Sequence, residues 1–162
     1  MSIATEHTER AVGTREWYDF IALVADFGLT IHAGGEAATG RLIEMLDLDA
    51  PAHVLDVGAG PGMTAARIAR ETGARVTGVD LSPKMVEKAV ARAGREGLAD
   101  RCTFQVGDVF DLPFDDATFD AVIFESFLTV VPGSPKDALS ELLRVLRPGG
   151  RIGANEATVD LE

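Results

Sequence analysis

Three carboxylates stand where a run of apolar residues gives way to a turn, and no other groups in this sequence are better placed to hold a ligand. Asp56 opens Asp56-Val57-Gly58-Ala59-Gly60-Pro61-Gly62, Asp80 follows Val76-Thr77-Gly78-Val79, and Asp108 lies in Gly107-Asp108-Val109. The glycines of the first segment let the backbone turn sharply and let a ligand approach the amides at the start of the helix that follows. A dinucleotide fingerprint would place its third glycine at position 63, which is Met63, so the spacing disfavours a nicotinamide cofactor. A short acid at Asp80, eighteen residues beyond Gly62, can accept two hydrogen bonds from the vicinal hydroxyls of a ribose. Asp108 can accept from an exocyclic amine while the neighbouring amide donates to a ring nitrogen, a pattern that reads adenine. Each acid alone suits an ordinary loop cap. Three after three successive strands point to a nucleoside.

The elements that must position them can be read from the apolar periodicity. Helices are expected over Arg15–Phe27 and, after the Gly34-Gly35 break, over Glu36–Leu48. Short buried runs at His53–Val57, Arg75–Val79, Cys102–Val106, Phe119–Phe124 and Ile152–Asn155 read as strands. Between them, Met63–Thr72 is an Ala-rich helix closed by Gly73. Ser82-Pro83 caps a second helix, with Met85, Val86, Ala89, Val90 and Ala93 on one side. Ser134-Pro135, with Asp137 in the first turn, opens a third that buries Ala138, Leu139, Leu142, Leu143 and Leu146 before Pro148-Gly149-Gly150. Such alternation predicts an α/β fold: a doubly wound, mainly parallel sheet of about five strands with right-handed crossovers and helices on both faces. Ligands bind such sheets at the carboxyl ends of the strands, where the three acids stand.

The totals exclude several classes. At 162 residues, 46% hydrophobic and 25% charged, the chain is one globular domain, expected as a polar tail over 1–14, a helical segment over 15–50 and a core over 51–162. A net charge of −11 repels phosphate backbones and anionic headgroups, which argues against nucleic acid. Cys102 is the only cysteine, so no internal disulfide forms, and neither a Cys cluster nor a His pair offers a metal site. A reducing, cytoplasmic setting follows as the default. No signal-peptide pattern opens the sequence, and the apolar stretch Phe20–Leu29, cut by Asp26, is short of the roughly 18 residues a membrane span needs.

With these segments in order, the chain resembles the class I S-adenosylmethionine-dependent methyltransferases from Ala52 to Glu156, and most closely the small-molecule, quinone-biosynthesis-like subgroup. The resemblance is carried by Val54-Leu55-Asp56-Val57-Gly58-Ala59-Gly60-Pro61-Gly62, Gly78-Val79-Asp80-Leu81-Ser82, Gly107-Asp108-Val109-Phe110-Asp111-Leu112-Pro113-Phe114, Phe119-Asp120-Ala121-Val122 and Leu146-Arg147-Pro148-Gly149-Gly150. It implies that Asp56 and the backbone at Gly58, Ala59, Gly60 and Gly62 hold the methionine part of the cofactor. It further implies Asp80 on the ribose, Asp108 and Val109 on adenine with Leu81 packing nearby, and Glu125 and Ser126 beside the transferable methyl and a small-molecule acceptor. A methyl sulfonium is already activated, so such an enzyme gains most by aligning the acceptor and excluding water. Where the acceptor is a hydroxyl, a base helps, and Glu125, Glu156 and His32 are the candidates. His32 also suits a lid or a helix-breaking turn, His53 a structural place at the far end of its strand, and Trp17 and Tyr18 core packing.

The resemblance implies a terminal hairpin that this sequence does not reach, only six residues following Glu156. A C-terminally truncated enzyme is the corresponding expectation, with the fifth strand as an open edge through which two copies pair. The alternative to an active transferase is a cofactor-binding module without turnover.

Overall fold

The computed structural model describes residues 32–128, 131 and 133–156. Over these the chain runs α1 (Gly35–Leu46), β1 (His53–Val57), α2 (Met63–Thr72), β2 (Arg75–Asp80), α3 (Pro83–Arg95), β3 (Cys102–Val106), β4 (Phe119–Glu125), α4 (Pro135–Val145) and β5 (Leu146–Asn155). The tail expected over 1–14 and the helix expected over Arg15–Phe27, with Trp17 and Tyr18, lie outside the described residues.

The strands form one sheet in the order β3-β2-β1-β4-β5, every neighbouring pair parallel. One face carries α1, α2 and α3: Leu42, Ile43, Leu46, Ala65, Ala66, Ile68, Ala69 and Ala93 close over Val54, Val76, Ala121 and Ile123. The other carries α4, whose Ala138, Leu142 and Val145 pack with Leu55, Val57, Val79, Val122 and Phe124. The doubly wound sheet with helices on both faces is thus as expected.

Local chemistry sets the helix starts and stops. Ser82 Oγ accepts from the Met85 amide at 3.4 Å and Ser134 Oγ from Asp137 at 3.3 Å, each followed by a proline in the first turn. Gly73, at φ 76°, ends α2. His53, at the amino end of β1, has Nε2 2.9 Å from Thr77 Oγ1 and its ring tilted against Phe119, at the end of the sheet opposite the acids, the place expected of it. Burial, then the nearby Arg75 guanidinium, holds its imidazole below the usual value against the pull of Asp120.

The expected boundaries shift where pairing overrides local pattern. α1 ends at Leu46 because Asp47 adopts φ 45°, two residues before the expected end. β2 and β4 each run one residue further than read, so that Asp80 and Glu125 are the last residues of their strands. β5 begins at Leu146 rather than Ile152. Leu146 pairs with Phe119 and Arg151 with Ala121, so Arg147-Pro148-Gly149-Gly150 bulge opposite Asp120. Leu146 therefore belongs to the sheet, and Leu143 and Val90 are 59% and 53% exposed, because the buried stripes of α4 and α3 are narrower than the apolar pattern.

Candidate functional site

Strand register brings the three expected positions on β1, β2 and β4 together. Val57 pairs with Val79 on one side and Phe124 on the other, so the next residues along, Asp80 and Glu125, flank the position of Gly58. Side chains alternate along a strand. Asp56 shares its face with Val54, Asp80 with Val76, and Glu125 with Ile123 and Ala121, all members of the core beneath α1, α2 and α3. The three carboxyls therefore enter the same face at the carboxyl ends of three adjacent strands. Asp56 and Asp80 are each 4% exposed and the Glu125 side chain 6%.

Their partners differ. Asp80 is gripped by backbone: Gly60 N donates to Oδ2 at 2.8 Å and Ser82 N to Oδ1 at 2.9 Å. Burial still holds its carboxyl above the ordinary carboxylate range. Asp56 has much less support. The Ala65 amide at the start of α2 favours its anion, but burial first, then the charges of Glu125 and Asp80, push the carboxyl well above the usual range, and its Oδ2 is buried without a hydrogen-bond partner. Glu125 is the most heavily bonded. Thr39 Oγ1 donates to Oε2 at 2.9 Å and lies 3.1 Å from Oε1, Thr64 Oγ1 donates to Oε1 at 2.9 Å, and Asn155 Nδ2 donates to Oε2 at 3.1 Å.

The glycine loop closes between these groups. Gly58 (φ 68°) and Ala59 donate their amides to Val79 O at 2.8 and 3.1 Å, and Gly62 (φ 75°) donates to Ala59 O at 3.0 Å. A Cβ at Gly62 would stand 2.9 Å from Ala89 Cβ and 3.0 Å from Phe104, so this position needs both the left-handed backbone and the absence of a side chain. The amides of Gly58, Ala59 and Gly60 are thus bonded within the protein. What the loop offers a ligand is the orphan oxygen of Asp56 and the remaining lone pairs of Asp80.

Next along the sheet edge, Gly107 N donates to Asp80 O at 3.1 Å, tying the turn after β3 to the end of β2. In that turn Asp108 is exposed, its Oδ1 accepting from Phe110 N at 3.0 Å, while Val109 is buried against the α4 face. Leu81 and Val106 are 41% and 49% exposed, leaving apolar surface at the ends of β2 and β3.

The remaining candidates, Ser126, Glu156 and His32, each make contacts within the protein. Ser126, at φ 49°, accepts at Oγ from Ala33 N at 3.2 Å and donates its own amide to Asn155 O at 2.7 Å. Glu156 Oε1 accepts from the amides of Phe127 and Leu128 at 2.7 and 3.0 Å, which holds the chain after β4. His32 stands with Nδ1 3.4 Å from Glu125 Oε2 and Nε2 3.4 Å from Thr39 Oγ1. Asn155 Nδ2 also donates to Ala33 O at 2.7 Å, so the turn before α1 is pinned to the ends of β4 and β5.

Sequence reasoning missed Thr39, Thr64 and Asn155. Asn155 was within reach, since it ends the fifth strand and lies opposite Glu125 in register. The threonines carried no signal, being small polar residues on the inner faces of helices. Among the described residues no group of three or more His, Cys, Asp or Glu side chains is arranged to hold a metal. The site is therefore an acidic strand-end cluster in which Asp56 Oδ2 and, at its rim, His32 Nδ1 are buried without hydrogen-bond partners, suited to a cationic group beside a polyhydroxyl group.

Comparison with known proteins follows the same lines. Residues 54–150 match the family described as "Methyltransferase domain". The chain is 41% identical over 125 residues to Methyltransferase GfsG of Streptomyces halstedii, covering 77% of this chain and 45% of that protein. It is 37% identical over 131 residues to the 27-O-demethylrifamycin SV methyltransferase of Amycolatopsis mediterranei, covering 81% and 48%. Among solved structures, the [4+2]-cyclase SpnF superposes with a TM-score of 0.78 at 32% identity, covering 87% of this chain and 58% of that one. A SAM-dependent methyltransferase from Geobacter sulfurreducens in complex with S-adenosyl-L-homocysteine superposes with a TM-score of 0.64 at 32% identity, covering 72% and 46%. The chain spans about half the length of the curated relatives it matches.

Proposed function

The chain belongs to the methyltransferase-domain family, and from that premise we propose that it holds S-adenosylmethionine at the ends of β1, β2 and β3 and transfers its methyl group to a small-molecule acceptor, leaving S-adenosylhomocysteine. The observation that carries this reading is the row of buried acids on one face, with the buried, partnerless Asp56 Oδ2 beside the glycine loop. That oxygen suits the ammonium of the methionine part, and Asp80, held rigid by two amides, suits the ribose hydroxyls. Asp108 and Val109, with exposed Leu81, suit the adenine. S-adenosylmethionine supplies an activated methyl electrophile when bound. The residues of this chain then have to orient and to exclude water, more than to move protons.

Glu125, fixed by Thr39, Thr64 and Asn155, is the anion placed nearest this cluster and serves to set the local field and the position of the acceptor. His32 acts with it as the group that closes the turn over the strand ends, and the carboxylate of Glu156 anchors the loop carrying Phe127. A base role for His32 competes with its contacts to Thr39 and Glu125. The likeness to the [4+2]-cyclase SpnF favours one second reading, a cofactor-holding domain that does not consume the methyl group. Formation of S-adenosylhomocysteine with an acceptor separates the two.

The test is isothermal titration with S-adenosylmethionine and S-adenosylhomocysteine. Micromolar binding is expected, weakened roughly tenfold or more by Asp80→Ala, the loss of about 1.4 kcal/mol or more in hydrogen bonds to the ribose. A folded protein giving no binding heat sinks the proposal.

The setting goes with the same reading. Among the described residues no helix is long and apolar enough to cross a membrane. Cys102 is a buried free thiol, which is compatible with the proposed reducing cytoplasm, and the charge of −11 argues against nucleic acid. Pairing of two copies through β5 is part of the proposal too, because among the described residues β5 is paired on one side alone. Light scattering at high concentration is expected to give twice the 17.2 kDa of the chain, and a clean monomer excludes it.

A further inference from the structure

Asp56 and Glu125 stand on neighbouring strands, both buried, yet their hydrogen bonding is very uneven. Glu125 receives Thr39, Thr64 and Asn155, whereas Asp56 Oδ2 has nothing. With Asp80 they make three buried carboxyls on one face at the ends of adjacent strands, poorly accommodated as three anions, and the one imidazole beside them, His32, stands against Glu125 rather than Asp56. A proton shared by the cluster therefore resides where donors are missing. Around Asp56 the facing groups are Asp80 on β2, Glu125 on β4 with His32 beyond it, Cys102 on β3, and the Ala65 amide of α2, while α1 reaches the cluster through Thr39 on Glu125.

We propose that Asp56 is carried as the neutral acid in the free protein and releases its proton to solvent when the cationic end of the cofactor enters beside it, so that cofactor binding is linked to the release of one proton. This rests on the cofactor reading above. The charge balance is complete: the site exchanges a proton for the ligand's cation, and the proton goes to buffer. Burial and the charges of Glu125 and Asp80 act in the same direction on the free Asp56. Affinity then rises with pH, by up to about tenfold per pH unit, and levels off above the free-state pKa of Asp56.

The experiment is titration of S-adenosylhomocysteine into the full chain in buffers of differing ionisation enthalpy, between about pH 5 and 8. Proton release approaching one as the pH is lowered, and abolished in Asp56→Asn, supports the inference. That variant also separates Asp56 from the ligand's own amino group, because release that persists in it overturns the inference. Binding heat independent of buffer across the range overturns it while leaving the cofactor reading intact, and no binding by the folded protein overturns both. Should Asp56→Asn fail to fold, difference infrared spectroscopy of the wild-type protein decides: a protonated-carboxyl band has to disappear on saturation with S-adenosylhomocysteine, and its persistence counts against the idea. The folded variant gives one further check. A carboxyl whose folded pKa is raised contributes stability below its unfolded pKa and loses it as pH rises through the folded value, so the stability of Asp56→Asn relative to wild type should rise with pH and level off above the folded value. A constant margin contradicts the neutral acid.

Discussion

Replacing Glu125 with alanine is expected to destabilise the protein by about 3–5 kcal/mol, because it strands the hydroxyls of Thr39 and Thr64 and an Asn155 N–H in a buried site. Against a total stability of about 5–15 kcal/mol for a single domain this is a large fraction, readable as a fall in the urea midpoint. The loss has a second consequence away from the carboxylate. Thr39 lies on α1 and Asn155 holds the carbonyl of Ala33, so the turn at 32–34 and the first turns of α1 lose their ties to β4 and β5. Hydrogen exchange is expected to speed up selectively over residues 32–46 in the variant. Glu125→Gln keeps the volume but sets an amide N–H against another donor, and a milder loss of about 1–3 kcal/mol follows. A Glu125→Ala protein within about 1 kcal/mol of wild type, with unchanged exchange in α1, would show that Glu125 is not the hub of the site.

The second large effect is expected at Gly78, in the middle of β2. A Cβ there would stand 2.4 Å from Phe104 Cδ1, 2.7 Å from Cε1 and 2.9 Å from Ala59 Cβ. Phe104 is the partner of Gly78 on β3 and packs on the core, and Ala59 is part of the glycine loop, so the added methyl presses on the backbone that Asp80 grips through Gly60. Gly78→Ala is expected to cost about 3 kcal/mol by overpacking. The folded fraction should also bind S-adenosylhomocysteine at least roughly tenfold more weakly, as the loop is pushed off Asp80. Gly94→Ala is the matched control: it lies inside α3 with nothing within 4 Å of the added methyl, and it should stabilise by about 0.5–1 kcal/mol. Equal stability changes at the two glycines would mean that close packing at Gly78 has been misjudged. Unchanged affinity in a destabilised Gly78→Ala would uncouple the loop from the site.

Much of the site was legible because strand ends are marked locally. Asp56, Asp80 and Glu125 each follow a short apolar run, and a parallel sheet sends such residues to one edge whatever the details of packing. The glycine loop was legible for a similar reason, since left-handed backbone at Gly58, Gly60 and Gly62 is a property of single residues. Glu156 shows the opposite case. As an acid after the fifth strand it was read as a candidate base, and only the tertiary structure shows that its carboxylate accepts from the Phe127 and Leu128 amides. The start of β5 escaped for want of a local signal: Leu146 extends the apolar stripe of α4, and its pairing with Phe119 across a bulge is decided by a residue 27 positions away.

By itself, then, the sequence determined the alternation of strands and helices, the parallel order that follows from crossovers, and the row of acids at the strand ends, because periodicity, caps and turn residues act over a few neighbours. The tertiary structure alone decided which of those acids share a face, that Glu125 is saturated by Thr39, Thr64 and Asn155 while Asp56 is left with a bare oxygen, and that His32 stands against Glu125 and Thr39. These depend on register between strands and on burial. Both are set by contacts between residues far apart in the chain, which no local pattern encodes.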